Sequence, residues 1–481
     1  MTKQLQNFTT ELQKTKGELL EVNKKVSPAN YEVTAILRRL EEKGLFPSVI
    51  FNNCTAINGE KSSMRVLSNV FATRQRCAIA LGLSPDDSDL PLSLEYSRRV
   101  CQRTEPTLVS RDKAPVKEMI KIGSDVDLSE LPIVRHHEMD PAPYIDMVTC
   151  HRSKVSGVYN TAFQRTMYKG PRRLGLFMGQ RHNWEICREF ERDGLPAPVI
   201  IIAGHHPAFY LGSLNLQPWG VDDYQVIGAV MNEPLRLVES ETWGDHFLVP
   251  ADAEIIIEGE IEPNVREAEG PFGEWTGYYG PQRLSWIIDV TAITHRSNAI
   301  LQDIFVGHRE NWLLGAIPKE GDIFNAVKGY VPTVKAVHIP VSGNGRLNCY
   351  ISMDKQRDGE PRHAALITLS VCDFVKNIVV VDKDVNPFNE GEVLWAMATR
   401  CQPDKDIDII RDTKCSPLDP SIVEENMGAK MIVDATVPLN RAYEKRVKVP
   451  DEILNKVTLT DYFEEEKLSS CQRFTDSLRS V

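Results

Sequence analysis

A chain of 481 residues is too long to be built around one ordinary hydrophobic core, so two or three domains are expected. Its formal net charge of −11, with no basic stretch, argues against a nucleic-acid partner, and no apolar run reaches the length of a membrane span. The ten cysteines are scattered singly without a CxxC pair, which fits free thiols in a reducing cytoplasm better than a disulfide framework or a zinc site; the polar start Met1–Asn7 lacks the apolar core of a secretory leader.

Taken in chain order, the pattern is mixed α/β. Residues 4–20 are polar and helix-compatible. Ser27-Pro28 reads as a helix start, and Val33, Ile36, Leu37 and Leu40 share one apolar face of a helix that ends near Gly44. Ser48–Phe51 reads as a strand and Arg74–Leu83 as a helix closed by Gly82 or by Ser84-Pro85. Strands then dominate, with Pro198–Ala203, Ala253–Ile261 and Ser285–Thr291 as candidates, the first a continuous apolar run of buried-strand type. After about residue 315 helices and strands alternate, including a strand over Asn377–Asp382.

One segment stands out chemically. Glu269-Gly270-Pro271-Phe272-Gly273-Glu274 places two carboxylates five residues apart around a Gly-Pro-Phe-Gly core. In a strand such positions face opposite ways. Proline fixes its own φ and glycine permits unusual dihedrals, so a tight turn is expected in which both carboxylates converge. Two close carboxylates resist joint ionisation, the condition for a general acid beside an anionic partner. A solvated acidic turn fits the same residues. Asn160 and Arg165 lie in Asn160-Thr161-Ala162-Phe163-Gln164-Arg165, His182 follows Gln180-Arg181, and Asp223 precedes the helical run Val226–Val230. Amide oxygen, imidazole and carboxylate together suit a divalent ion such as Mn²⁺ or Mg²⁺, although each side chain alone is as readily structural. The pairs His136-His137 and His205-His206 diverge if extended and are read as structural.

In this order the motifs resemble the UbiD family of reversible decarboxylases. The resemblance rests on Asn160…Arg165, His182, Asp223, Glu269…Glu274, Lys376, Val380–Asn389, Val249–Ile255 and Gly428–Thr436. It covers about residues 8–440 and is nearest in pattern to the phenolic-acid decarboxylase branch. It implies an α/β fold with a central split β-barrel: an N-terminal α+β segment over 1–124, the barrel binding flavin and metal over 125–312, and a C-terminal α/β oligomerisation domain over 313–481. It also implies prenylated FMN, supplied by a flavin prenyltransferase, with Mn²⁺ and a nearby K⁺.

Residue by residue, the resemblance places the metal ligands on Asn160, His182 and Asp223, and a phosphate-contacting lysine on Lys376. The catalytic arginine falls on Arg165 and the catalytic carboxylates on Glu269 and Glu274. Phe163, Gln164 and Gln180 would line the cofactor. Two departures are visible: Phe163-Gln164 stands where Ile-Tyr is common, and Asp223 is one methylene shorter than the usual glutamate. The implied reaction is reversible, non-oxidative decarboxylation of an aromatic, heteroaromatic or α,β-unsaturated acid through a covalent flavin adduct, with Glu274 protonating the product carbon. The implied setting is a cytoplasmic homodimer or homohexamer. A metal-dependent hydrolase using Glu269 and Glu274, or a non-catalytic flavin-binding subunit, are the alternatives. His308 and Arg309, after the run Asp303–Val306, are candidate substrate contacts because a buried polar group selects ligands that satisfy it.

Overall fold

The computed structural model describes residues 2–424 and 426–471. The first helix runs Leu5–Gln13, shorter than the polar stretch suggested, because Leu19–Val22 extends to pair in parallel with Ser48–Phe51. Ser27-Pro28 opens only a 3₁₀ turn. Tyr31 then takes a left-handed φ of 64°, and the amphipathic helix Glu32–Glu41 follows with Val33 and Leu37 buried. The helix expected over Arg74–Leu83 ends at Ala80.

The N-terminal sheet has four strands, Leu19–Val22, Ser48–Phe51, Arg65–Ser68 and, from far along the chain, Ile300–Gln302. The β-rich middle forms a ten-stranded sheet. Its main path runs Tyr144–Ile145, Thr166–Gly170, Arg173–Leu176, Arg283–His295, Ile255–Ile261, Ala197–Ala203, Val148–Arg152 and Tyr159–Phe163, with Glu267–Glu269 and Met119–Ile122 also pairing to the long strand Arg283–His295. Ile200, Ile202, Ile255 and Ile256 are fully buried, as expected for near-continuous apolar strands covered on both faces. The C-terminal sheet of five strands runs Val334–His338, Asn348–Met353, Asn377–Asp382, Met427–Ala435 and Ile407–Lys414. Its two inner pairings are parallel, the helix Glu360–Val371 supplying the crossover between Asn348–Met353 and Asn377–Asp382, and its two outer pairings are antiparallel. The helix Arg309–Tyr330 links the middle to this sheet and is buried along most of its length.

All ten cysteines are free. Among the described residues no helix is long and apolar enough to cross a membrane. The mixed α/β class expected from the sequence is what the chain adopts.

Candidate active site

Arg165 lies in the two-residue connection between the strands Tyr159–Phe163 and Thr166–Gly170, so its side chain leaves the sheet at a fixed point. It is buried, with its guanidinium carbon 4.2 Å from the Phe177 ring centroid and 4.9 Å from that of Phe272. Its Nε and Nη2 donate to the two oxygens of Glu269 at 2.9 and 2.8 Å, a bidentate fork. Its Nη1 donates to Oε1 of Glu274. The two carboxylates of the Gly-Pro-Phe-Gly segment therefore converge on one guanidinium.

Backbone geometry explains how. Glu267–Glu269 is strand, pairing Glu269 with Arg283. Gly270 then takes a φ of +83° and precedes a cis bond to Pro271, which reverses the chain. Phe272–Gly273 pairs with Tyr279–Gly280, and the Glu274 N–H donates to the Tyr278 carbonyl at 2.9 Å. Gly273 permits a close approach: a Cβ there would stand 2.2 Å from Nδ1 of His137. The Tyr144 hydroxyl is buried beneath this turn without a hydrogen-bond partner, its ring 4.5 Å from that of Phe272. Burial, reinforced by Glu269, pushes its pKa far up.

The candidate metal ligands form a second cluster. His182 Nδ1 is 3.2 Å from Oδ1 of Asn160, and Nδ2 of Asn160 donates to Oδ1 of Asn183 at 2.6 Å. Asp223 reaches Thr161, the residue after Asn160, and is already engaged. Its Oδ2 accepts from the Thr161 N–H at 2.6 Å and the Thr161 hydroxyl at 2.9 Å, and its Oδ1 accepts from Nδ2 of Asn215 at 2.9 Å. Burial pushes the Asp223 carboxyl up to about 7 and pulls His182 down. Among the described residues no group of three His, Cys, Asp or Glu side chains is arranged to hold a metal ion. A site here depends on the Asn160 amide joining His182, with Asp223 behind Thr161.

A cleft of about 520 Å³ borders the arginine through Phe177 and is walled by Gln180, Arg181, Arg266, Arg283 and Lys414, a basic lining suited to an anionic guest. Arg181 crosses to the C-terminal sheet through an ion pair with Asp373 at 2.6 Å. Phe163 packs 5.6 Å from the Tyr210 ring, and Oε1 of Gln164 accepts from the Thr149 hydroxyl at 2.5 Å.

Of the remaining candidates, His308 lies beside the catalytic turn, its ring 6.1 Å from that of His137 and the preceding Gly307 packed against the Glu274 carbonyl, whereas Lys376 precedes the central strand of the C-terminal sheet. Lys376 Nζ donates to Asp419 at 2.9 Å and also contacts Ser421. Nδ1 of His308 is 2.8 Å from Glu41, and its ring stacks on Phe305 at 3.7 Å; Arg309 Nε donates to the Ala72 carbonyl at 2.9 Å, turned toward the N-terminal segment. Sequence reasoning missed Asp140, His137, Tyr144 and Asn183. Only the His136-His137…Asp140 spacing hinted at the first two.

Comparison with known proteins agrees with this geometry. Three models of the 3-octaprenyl-4-hydroxybenzoate carboxy-lyase family match in order: the N-terminal domain over 10–90, the Rift-related domain over 107–309 and the C-terminal domain over 313–435. The chain is 31% identical over 452 residues to the phenolic acid decarboxylase of Sedimentibacter hydroxybenzoicus, covering 91% of this chain and 92% of that one. It is 32% identical over 440 residues to the anhydromevalonate phosphate decarboxylase of Methanothermobacter thermautotrophicus, covering 91% and 98%. Its fold superposes on the UbiD-class enzyme HmfF of Pelotomaculum thermopropionicum in complex with FMN. The TM-score is 0.86 and the identity 36%, covering 96% of this chain and all of the other; an evolved dimeric form with prenylated FMN gives 0.83. The named relatives are decarboxylases, and the HmfF structures are of a UbiD-class enzyme holding FMN or its prenylated form. The chain belongs to the UbiD family.

Proposed function

We propose that this protein catalyses the reversible, non-oxidative decarboxylation of an aromatic, heteroaromatic or α,β-unsaturated acid with prenylated FMN. The observation that carries the reading is the buried Arg165 held by Glu269 and Glu274 beside a basic cleft.

Loss of CO₂ from an unsaturated carbon leaves an unstable carbanion; prenylated FMN, when bound, supplies the electron sink that avoids it. This chain's residues do the rest. A guanidinium has five N–H donors, and Arg165 spends three on its two carboxylates. The others remain to align the substrate carboxylate. Both oxygens of Glu269 are occupied, so Glu269 holds the guanidinium in place. Glu274 commits only Oε1, which leaves its other oxygen to carry the proton delivered to the product carbon. Phe177 and Phe272 keep water off this assembly. The full occupancy of Glu269 disfavours the hydrolase alternative, which needs both acids free to handle water.

The donor set of Asn160, His182 and Asp223 fits a divalent ion of the Mn²⁺ type that would anchor the flavin phosphate, with K⁺ as a companion. Lys376, just before the central strand of the C-terminal sheet, would meet the phosphate by exchanging its Asp419 partner. The segments 1–124, 125–312 and 313–481 act as support, cofactor-binding and oligomerisation parts. The oligomer reading, a homodimer or homohexamer, is supported by the C-terminal stretch, where the apolar side chains Val447, Val449, Ile453 and Phe463 are exposed and a second copy would cover them; the setting is taken as the cytoplasm.

The test is production with and without a flavin prenyltransferase, followed by a screen of aromatic, heteroaromatic and acrylic acids for CO₂ release. Activity only with the prenyltransferase is expected; equal activity in a strain lacking it would overturn the cofactor assignment.

A further inference from the structure

The two ends of an amide differ in what they donate or accept, so the partners of Asn160 decide which end faces His182. Its Nδ2 donates to Oδ1 of Asn183 at 2.6 Å, which leaves its Oδ1 on the His182 side, 3.2 Å from Nδ1 of that ring. Asn183 is itself an amide, and its orientation needs a cause. Its Nδ2 donates to the Thr149 hydroxyl over 3.5 Å. That hydroxyl gives its single proton to Oε1 of Gln164 at 2.5 Å, with the Ala162 carbonyl at 3.3 Å as a second acceptor. A hydroxyl that has spent its proton can only accept. Thr149 therefore presents a lone pair to Asn183, Asn183 turns its oxygen to Asn160, and Asn160 turns its oxygen to His182.

The fold assembles these groups away from water. In the helix His182–Glu191, Asn183, Ile186 and Cys187 form the buried face, at the spacing that puts side chains on one side of a helix. That face covers the strand pair Val148–Arg152 and Tyr159–Phe163. Their register sets His151 opposite Asn160 and Ala162 opposite Thr149, so Thr149, His151 and Asn160 share one side of the sheet. Cys187 meets His151 there, its Sγ 3.5 Å from Nδ1. Thr149 is 0% and Asn183 2% exposed, so bulk water offers neither a substitute partner, and the direction of each hydrogen bond is passed to the next.

That direction matters to a cation. Divalent ions of the Mn²⁺ type take oxygen and imidazole nitrogen, whereas an amide NH₂ offers them only hydrogen. Turned over, Asn160 would face the ion with its NH₂ and set its oxygen against that of Asn183. Asp223 is occupied by Thr161 and Asn215, which puts more of the site's weight on Asn160 and His182.

We infer that Asn183 and Thr149 are positioning residues for the divalent ion: their relay locks the Asn160 amide with its oxygen toward the metal. The inference rests on the metal reading of Asn160 and His182 above.

The test uses the full chain with saturating FMN, freed of metal by chelation and titrated with Mn²⁺, the free ion being read from its electron paramagnetic resonance signal. Asn160→Ala, Asn183→Leu and Thr149→Val are each expected to weaken Mn²⁺ binding roughly tenfold or more, the usual cost of losing a group that orients a metal ligand. Asn183→Asp still accepts from Nδ2 of Asn160 and retains binding. Asn160→Asp has two like oxygens and no polarity to set, so adding Thr149→Val to it leaves Mn²⁺ affinity unchanged. Full affinity in either Asn183→Leu or Thr149→Val, beside a weakened Asn160→Ala, overturns the relay and leaves the metal reading standing. Equal losses from Thr149→Val with and without Asn160→Asp also overturn the relay, because a packing role is blind to which end of residue 160 faces the ion. A loss in Asn183→Asp as large as in Asn183→Leu overturns it likewise. Full affinity in Asn160→Ala, or no Mn²⁺ binding by the wild type, overturns the metal reading and the relay with it.

Discussion

Asp140 ties the catalytic turn to the segment before the central sheet: its Oδ1 accepts the Gly273 N–H at 2.9 Å while its Oδ2 accepts the His137 N–H at 2.9 Å. The side chain is fully buried, and the contact sits one residue from Glu274. Asp140 is therefore a positioning residue for the acid.

Asp140→Ala should leave flavin content intact and lower kcat by roughly 10²-fold, because misplacement of a reacting group by about 1 Å costs that much. Steady-state kinetics with flavin absorbance on the same sample checks it. An unchanged kcat would show that the hairpin holds Glu274 without this tie.

Glu274→Gln is nearly isosteric and keeps an acceptor for Arg165, but it has no acidic proton. Turnover should fall by roughly 10²–10⁴-fold, the usual cost of losing a positioned acid. Solvent-deuterium incorporation into product should fall in parallel, and wild-type exchange in this variant would remove Glu274 from proton delivery.

For the proposed metal site, His182→Ala and Asn160→Ala should lower metal and flavin content together, since one ion is to bridge protein and phosphate. Asp223→Ala should act through Thr161 as well, loosening the strand that carries Asn160. Elemental analysis beside flavin absorbance is the measurement; unchanged metal per flavin in all three would count against these ligands.

Away from the site, Glu320 is fully buried. It accepts from Arg74 Nη1 at 2.9 Å and Nη2 at 3.0 Å, and from the Ile339 N–H at 3.1 Å, and lies 2.7 Å from Nδ1 of His338. Burial alone would raise its carboxyl, but Arg74 and His338 outweigh it and hold it far below the usual range. A depressed carboxylate contributes stability that is complete above its unfolded pKa of about 4.3 and is lost as pH falls toward the folded value. Glu320→Gln should therefore cost about 3–5 kcal/mol at neutral pH, the price of stranding a buried cation, and the gap from wild type should narrow below about pH 4. Unfolding curves across that range check both magnitude and sign.

Much of the fold was legible because it depends on local periodicity. The apolar run Pro198–Ala203 and the strand Asn377–Asp382 could be read directly, since continuous burial leaves a continuous apolar signature. The turn at Glu269–Glu274 was legible for a different reason, the conformational limits of proline and glycine. Helix ends were less so: whether residues 14–22 continue a helix or pair with Ser48–Phe51 depends on a partner strand 29 residues downstream by the Leu19–Ser48 register. Ile300–Gln302 gives no sign in sequence that it completes a sheet begun near residue 19.

For the site, the sequence by itself determined the chemistry on offer: one arginine, two glutamates around a turn, and an amide–imidazole–carboxylate set. Only the tertiary structure decided that Arg165 donates to both glutamates at once, that Asp223 faces Thr161 and Asn215, and that His308 turns to Glu41. Residue type sets what a side chain can donate or accept; which partner it meets, and whether water is there to compete, is set by long-range packing that no short window of sequence contains.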